Sequence, residues 1–162
     1  MRLNFLFFVP SLMLLLTGCA APPVVVNFAD YRAAPQRYVK ADAVVRTDLA
    51  TLLANADILK GRRVELSGQV DYRGHVIGFN YWHFYLLDGQ GHRLRSYERE
   101  YRVDSWVWAS TLARKADADH GTVVVSGRYE PPFDLELDWF DYLGHHVDTD
   151  YRPPKVFIPW RH

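Results

Sequence analysis

Cysteine is almost missing from this 162-residue chain, where Cys19 is the only one. A lone thiol excludes an internal disulfide and a metal site built on several thiolates, and it leaves no second cysteine to serve as a nucleophile. Net charge is missing as well, because 19 Lys and Arg meet 19 Asp and Glu. Affinity for nucleic acid grows from a basic excess that neutralises phosphates, so this balance argues against nucleic acid as a partner. Catalytic signatures are equally scarce. The chain has no G-x-S-x-G elbow, no S-x-x-K pair, no P-loop and no dinucleotide-binding glycine fingerprint. Nor does it have a long enough apolar run to span a membrane, since Phe5 to Leu16 falls short of the ~20 residues a helix needs and Pro22-Pro23 would stop its extension.

What the chain does have is apolar and aromatic weight, 49% and 15% of its residues. That excludes disorder for the bulk of it and favours β structure, where aromatic side chains suit a half-buried pleat. At its start, Arg2 and an apolar stretch from Phe5 to Leu16 precede the small residues of Leu16-Thr17-Gly18-Cys19. Together these resemble the signal peptide and lipobox of bacterial lipoprotein precursors. The resemblance implies cleavage before Cys19 and acylation of its thiol and amine, a tether that several acyl chains make effectively permanent. Ala20, following the cysteine in place of an acid, resembles the pattern of lipoproteins sent to the outer membrane. Residues 1–18 are therefore expected to be removed, taking one basic group with them and leaving 18 basic against 19 acidic. The remainder suffices for one domain with its own core.

Residues 19–45 carry Pro22, Pro23 and Pro35 and little periodicity, which predicts a lipidated N-terminus and linker ahead of a domain over 46–162. Leu49, Leu52, Leu53 and Ala56 then share one helical face, predicting a short helix over 48–59 capped by Thr47. Val64 to Val70 alternates apolar with polar, as a strand with one buried face does, and Gly68 within it marks a bulge or corner. A second strand is expected over Tyr81 to Leu87, a tight turn at Asp88-Gly89-Gln90-Gly91 and a third strand from His92. Residues 105–118 read as a helix closed by Gly121. Thr122 to Tyr129 forms a fourth strand with its own Ser126-Gly127, and Phe133 to Trp139 a fifth, apolar on one side and acidic on the other.

The expected fold is mainly β with two helices, an α+β domain. Arg63-Val64-Glu65-Leu66-Ser67-Gly68-Gln69-Val70, Phe84-Tyr85-Leu86-Leu87-Asp88-Gly89 and Val123-Val124-Val125-Ser126-Gly127-Arg128-Tyr129 resemble the strand rhythm of OB-fold domains, as does the helix between strands three and four. The resemblance, over about residues 62–142, implies a small five-stranded Greek-key barrel; an up-and-down or sandwich arrangement is the alternative. A lipoprotein carrying one small β domain is also loosely similar to the starvation-inducible outer-membrane lipoproteins.

Three clusters are candidate sites. In the second strand Tyr81, His83 and Tyr85 face one way and Trp82, Phe84 and Leu86 the other. One set forms core; the other is either a stacking platform for a sugar ring or peptide, or a second buried face beneath the helices. Asp134, Glu136 and Asp138 share one side of the fifth strand. The plain account is a solvated edge with Arg128 paired across to Asp134, since charge on an edge blocks aggregation. His145, His146 and Asp148 are the candidate metal ligands, weakened because adjacent histidines in an extended chain point apart. No cofactor is expected. The apolar, proline-bearing tail from Tyr151 to Trp160 is expected to pack over its own domain. Together these features suggest a lipid-anchored, non-catalytic binding or assembly module in the periplasm, held at the outer membrane, with an envelope protein or glycan as partner. The alternatives are a metal-dependent or glycan-acting hydrolase and a glycan-binding module.

Overall fold

The computed structural model describes residues 23–39, 42–75, 81–99, 103–131 and 134–148. The expected signal segment, Cys19 and the tail from Tyr151 onward lie outside them. In order, the elements are β1 (Val25–Asn27), α1 (Phe28–Ala33), α2 (Pro35–Val39), β2 (Val44–Arg46), α3 (Leu49–Ala54), α4 (Ala56–Leu59), β3 (Arg63–His75), β4 (Tyr81–Leu87), β5 (Arg93–Arg99), α5 (Val103–Ala118), β6 (Thr122–Glu130), β7 (Asp134–Tyr142) and β8 (His145–Asp148).

Five of these strands close on themselves. β3 pairs antiparallel with β4, β4 antiparallel with β5, β5 parallel with β7, β7 antiparallel with β6, and β6 antiparallel with β3. The result is a mixed, β-rich α+β domain organised around a five-strand ring of hydrogen bonds.

The closure depends on β3, which is long enough to change partner. Its residues 63–69 pair with β6 and its residues 69–75 with β4. Gly68 sits at the handover, where a Cβ would lie 2.5 Å from the Leu87 carbonyl oxygen, so only a residue without a side chain lets β4 end this close. The register shift itself falls later, between Tyr72 and Gly74, where Gly74 adopts φ +82. Ser126-Gly127 of β6 holds a second register shift, and a Cβ on Gly127 would run into the Glu136 carbonyl.

Alternation along the strands then fills the interior. Val64, Leu66, Trp82, Phe84, Leu86, Leu94, Val123, Val125, Tyr129, Leu135 and Phe140 are buried inside. Trp82 stacks on Phe84 at 5.6 Å between ring centroids, and Phe84 meets Phe140 edge-on at 5.7 Å. The helix α5 lies against this body with Ala109, Ala113 and Ala116 fully buried, small residues four and three apart that allow close approach.

Residues 19–45, expected to serve as a linker, join the domain from Val25 onward. β1 pairs parallel with β2 and β2 parallel with β3, and Val26, Tyr31, Ala43 and Val45 enter the core. The run Val24-Val25-Val26 is the β-branched segment that made this possible, and Pro35 opens α2 at a position where its missing N–H costs nothing. The helix expected over 48–59 divides at Asn55 into α3 and α4. Its cap is Asp48 rather than Thr47, with Oδ1 accepting from the Thr51 backbone N–H and Oδ2 from the Thr51 hydroxyl, each at 2.7 Å. These bonds hold the Asp48 carboxyl below its usual range, the backbone donor first and the hydroxyl second. The strand β8 was not expected at all. It pairs antiparallel with β7 through a turn in which Leu143 and Gly144 both take left-handed backbone, φ 53 and φ 78.

Candidate functional site

β4 decides which of its faces is inside. Trp82, Phe84 and Leu86 are fully buried, whereas His83 and Tyr85 reach the outer surface half-buried. The Tyr81 side chain, the third member of the expected platform, lies outside the described residues. His83 and Tyr85 stand edge to face, 6.1 Å apart with an interplanar angle of 83°.

Arginines surround them. The Arg93 guanidinium lies 3.9 Å from the centre of the Tyr85 ring and that of Arg73 5.9 Å from it, a cation–π geometry with two cations at one ring. Arg73 also donates to Asp71 at 2.6 Å. Arg95, beside Tyr85 in the β4–β5 register, forks onto both carboxylate oxygens of Asp134 on β7, its Nη2 at 2.6 Å from Oδ2. Burial pushes the His83 imidazole below its ordinary pKa, and Arg95 and Arg73 push it the same way against the weaker opposing pull of Asp134. Near neutrality His83 is therefore an uncharged ring that can both donate and accept. The patch offers an aromatic surface, a neutral imidazole and guanidinium edges, which suits binding a polar, ring-bearing ligand.

Sequence reasoning put His83 and Tyr85 on one face of the strand but did not name the arginines beside them. The hairpin at Asp88 to Gly91 fixes Leu87 opposite Arg93 and Tyr85 opposite Arg95, so the alternation Arg93-Leu94-Arg95 carried the information once the turn length was known. In that turn Asp88 Oδ1 accepts from the backbone N–H groups of Gln90 and His92 at 2.8 and 2.9 Å.

The acidic row of β7 is not a solvated edge. β7 pairs with β6 along one side and with β5 and then β8 along the other. The expected Arg128–Asp134 pair does not form, because the register sets Glu130 against Asp134 and Arg128 against Glu136. Arg128 instead donates to the Gly61 carbonyl at 2.9 Å, Asp134 takes Arg95, and Asp138 lies 3.2 Å from Arg63 Nε.

A second concavity, of about 990 Å³, lies between α5 and the β7–β8 hairpin. Trp108, Leu112 and Lys115 form one wall, with Tyr142, Leu143 and the β8 residues His145, His146, Val147 and Asp148 opposite. Trp108 is 66% exposed and Leu143 71% exposed. The hairpin is fastened to the helix end, where the Tyr142 hydroxyl and the Lys115 ammonium both donate to Asp119 Oδ2 at 2.8 Å. The Lys115 and Tyr142 donors hold the Asp119 carboxyl below its usual range.

The metal candidates line this groove without converging. His145 stands opposite Tyr142, whereas His146 lies on the other face of β8, 5.0 Å from the Trp139 ring and 3.8 Å from Asp141 Oδ2. Extended backbone turns neighbouring side chains apart, as their adjacency warned. Among the described residues, no three His, Cys, Asp or Glu side chains gather as a metal-ligand set.

No family model matches the chain, and no curated protein matches it. Among solved structures it is similar to part of a Leishmania major Friedlin protein described as an aspartyl-tRNA synthetase, with 14% identity and a TM-score of 0.39. The similarity covers 67% of this chain and 22% of that one. At that level it assigns neither family nor activity.

Proposed function

We propose that this chain is a lipid-anchored, non-catalytic binding or assembly module of the bacterial cell envelope. In this reading the five-strand ring is an OB-like Greek-key barrel at the outer membrane, facing the periplasm. The lipobox around Cys19 supports the anchor. The pairing order β3-β4-β5-β7-β6 and the position of α5 between β5 and β6 support the OB-like reading, whose ligand face is formed by its second and third strands.

One observation carries the binding role. With Trp82, Phe84 and Leu86 taking the interior of β4, His83 and Tyr85 are left outside, and Arg73 and Arg93 lie over the Tyr85 ring. An aromatic ring flanked by guanidinium groups suits an envelope glycan, whose sugar ring stacks while its hydroxyls or acidic substituents take the charged edges. Titration of the full chain with soluble cell-wall glycan fragments, followed through the amide resonances of β4 and β5, tests this. Binding that falls at least ten-fold in Tyr85→Ala and Arg93→Ala is the expected result, and unaltered binding in both rejects the face. For the anchor, Cys19→Ala is expected to abolish palmitate labelling and outer-membrane fractionation; persistence of both overturns it.

A further inference from the structure

We infer that the outer face of β4 and β5 selects a sugar ligand that carries a carboxylate, with Arg93 as the residue that reads the charge. This narrows the glycan-binding reading, on which it rests, from any envelope glycan to an acidic one.

The three arginines of the face differ in what they hold. Arg73 has the Asp71 carboxylate at 2.6 Å, and Arg95, opposite Tyr85 in register, has that of Asp134. Arg93 has neither. It is exposed, its guanidinium lies 3.9 Å from the centre of the Tyr85 ring, and among the described residues no carboxylate or carbonyl takes its N–H groups. Contact with a ring uses no hydrogen-bond acceptor, so the donors of Arg93 are held in place by Tyr85 and not consumed. The oxyanion that matches a guanidinium fork at two points in one plane is a carboxylate. The chain makes that match twice on this face, and the third arginine waits for a carboxylate from outside.

The field of the face points the same way. Burial is the first cause that lowers the His83 pKa, and Arg95 and Arg73 then lower it further, each ahead of the opposing pull of Asp134. The surface beside Tyr85 is therefore positive even though Arg95 already holds its carboxylate. A neutral sugar gains nothing from such a field, a cationic one is repelled and an anionic one is attracted. A further acid, Glu136, stands opposite Tyr97, at the far end of β5 from Arg93, and is itself engaged.

The face also has a seat for the sugar ring. Tyr97 is half-buried opposite His83, on the same side as Arg93 and Arg95, because Leu94 and Ser96 between them are buried. Tyr85, His83 and Tyr97 thus form a row of rings with Arg93 at one end of it. A ring laid on that row brings its acidic substituent to Arg93.

Titration of the full chain with soluble cell-wall glycan fragments bearing free carboxylates, and with the same fragments after conversion of those carboxylates to primary amides, tests this. The natural chain is expected to bind the acid form at least ten-fold more tightly than the amide. Arg93→Gln, which keeps a polar side chain without the charge, is expected to bind the two forms alike. Added salt is expected to weaken binding of the acid form to the natural chain and leave the amide unchanged. Equal affinities for acid and amide in the natural chain overturn the inference, as does a preference that survives in Arg93→Gln. Tyr85→Ala separates the two levels. If acid and amide bind the natural chain equally and both weaken in that variant, the face binds glycan and only the selection of charge fails. Binding of neither form ends both readings.

Discussion

The β4–β5 face and the α5–β8 groove present opposite surface chemistry. On the first, nearly every feature is polar and several charges already have partners: Arg95 has Asp134, Arg73 has Asp71, and Tyr85 lies under a guanidinium. A ligand there would exchange one set of directional contacts for another, so selectivity would come from geometry. The groove has little such vocabulary. Trp108 and Leu143 protrude into water, and whatever covers them gains from area removed from solvent, with little regard for orientation. One domain thus presents a face rich in directional polar contacts and a groove whose exposed side chains are mainly apolar.

The sharpest way to break that contrast is within β4. Phe84→Ala opens a cavity against Trp82 and Phe140 and is expected to cost about 3–5 kcal/mol in chemical denaturation, as buried aromatic truncations do. Tyr85→Ala, one residue away on the outer face, is expected to cost about 1 kcal/mol or less. If the two cost the same, β4 has no free face and the binding reading fails with it.

Asp134→Asn sharpens the comparison at the next scale. The Arg95–Asp134 pair is partly exposed, 41% and 29% by side chain, so its loss is expected to cost only about 0.5–1 kcal/mol while disordering the arginine that lies beside Tyr85. Weaker ligand binding with nearly unchanged stability is the anticipated pattern, measured by titration alongside urea melts.

At the groove, Tyr142→Phe removes the hydroxyl that ties the hairpin to Asp119. Amide exchange is expected to quicken several-fold in β8 and remain unchanged in β3 and β4. Uniform acceleration across the sheet would show that the hairpin is not a separately fastened element.

The smallest expected effect concerns pH. Folding depresses the His83 pKa, so between the folded value and the unfolded value of about 6.5 the unfolded chain binds more protons. The stability that favours neutral His83 is fully present above that unfolded value and declines as pH falls through the window. His83→Gln should remove this slope in melts taken between neutral and mildly acidic pH. A slope identical in both proteins would assign it to other groups.

Much of the ring was legible because its strands alternate cleanly. Val64 to Val70 and Tyr81 to Leu87 alternate, so the period alone separated two faces in each strand, while the fold decided that Trp82, Phe84 and Leu86 are the inner set of β4. The Ser-Gly pairs at 67–68 and 126–127 also pointed to places where strands approach or shift register. What escaped the sequence depended on distant partners. Val25–Asn27 is too short to announce a strand until β2 exists beside it, and β8 hides behind two adjacent histidines that look like ligands. Arg128 missed Asp134 by two residues of register, which no local pattern specifies. Of the candidate site, the aromatic half was visible in β4, whereas the arginine half comes from β3 and β5 and required the fold.

The pairing of β1 into the sheet also sets a length. With Val25 locked beside Val44, only Ala20-Ala21-Pro22-Pro23-Val24 separates the proposed acylated Cys19 from the folded body. Five residues reach roughly 17 Å at full extension. On the proposed anchor the domain would be no kite on a long string: it would be moored at the lipid headgroups, and its contacts would be with things that come to the membrane surface.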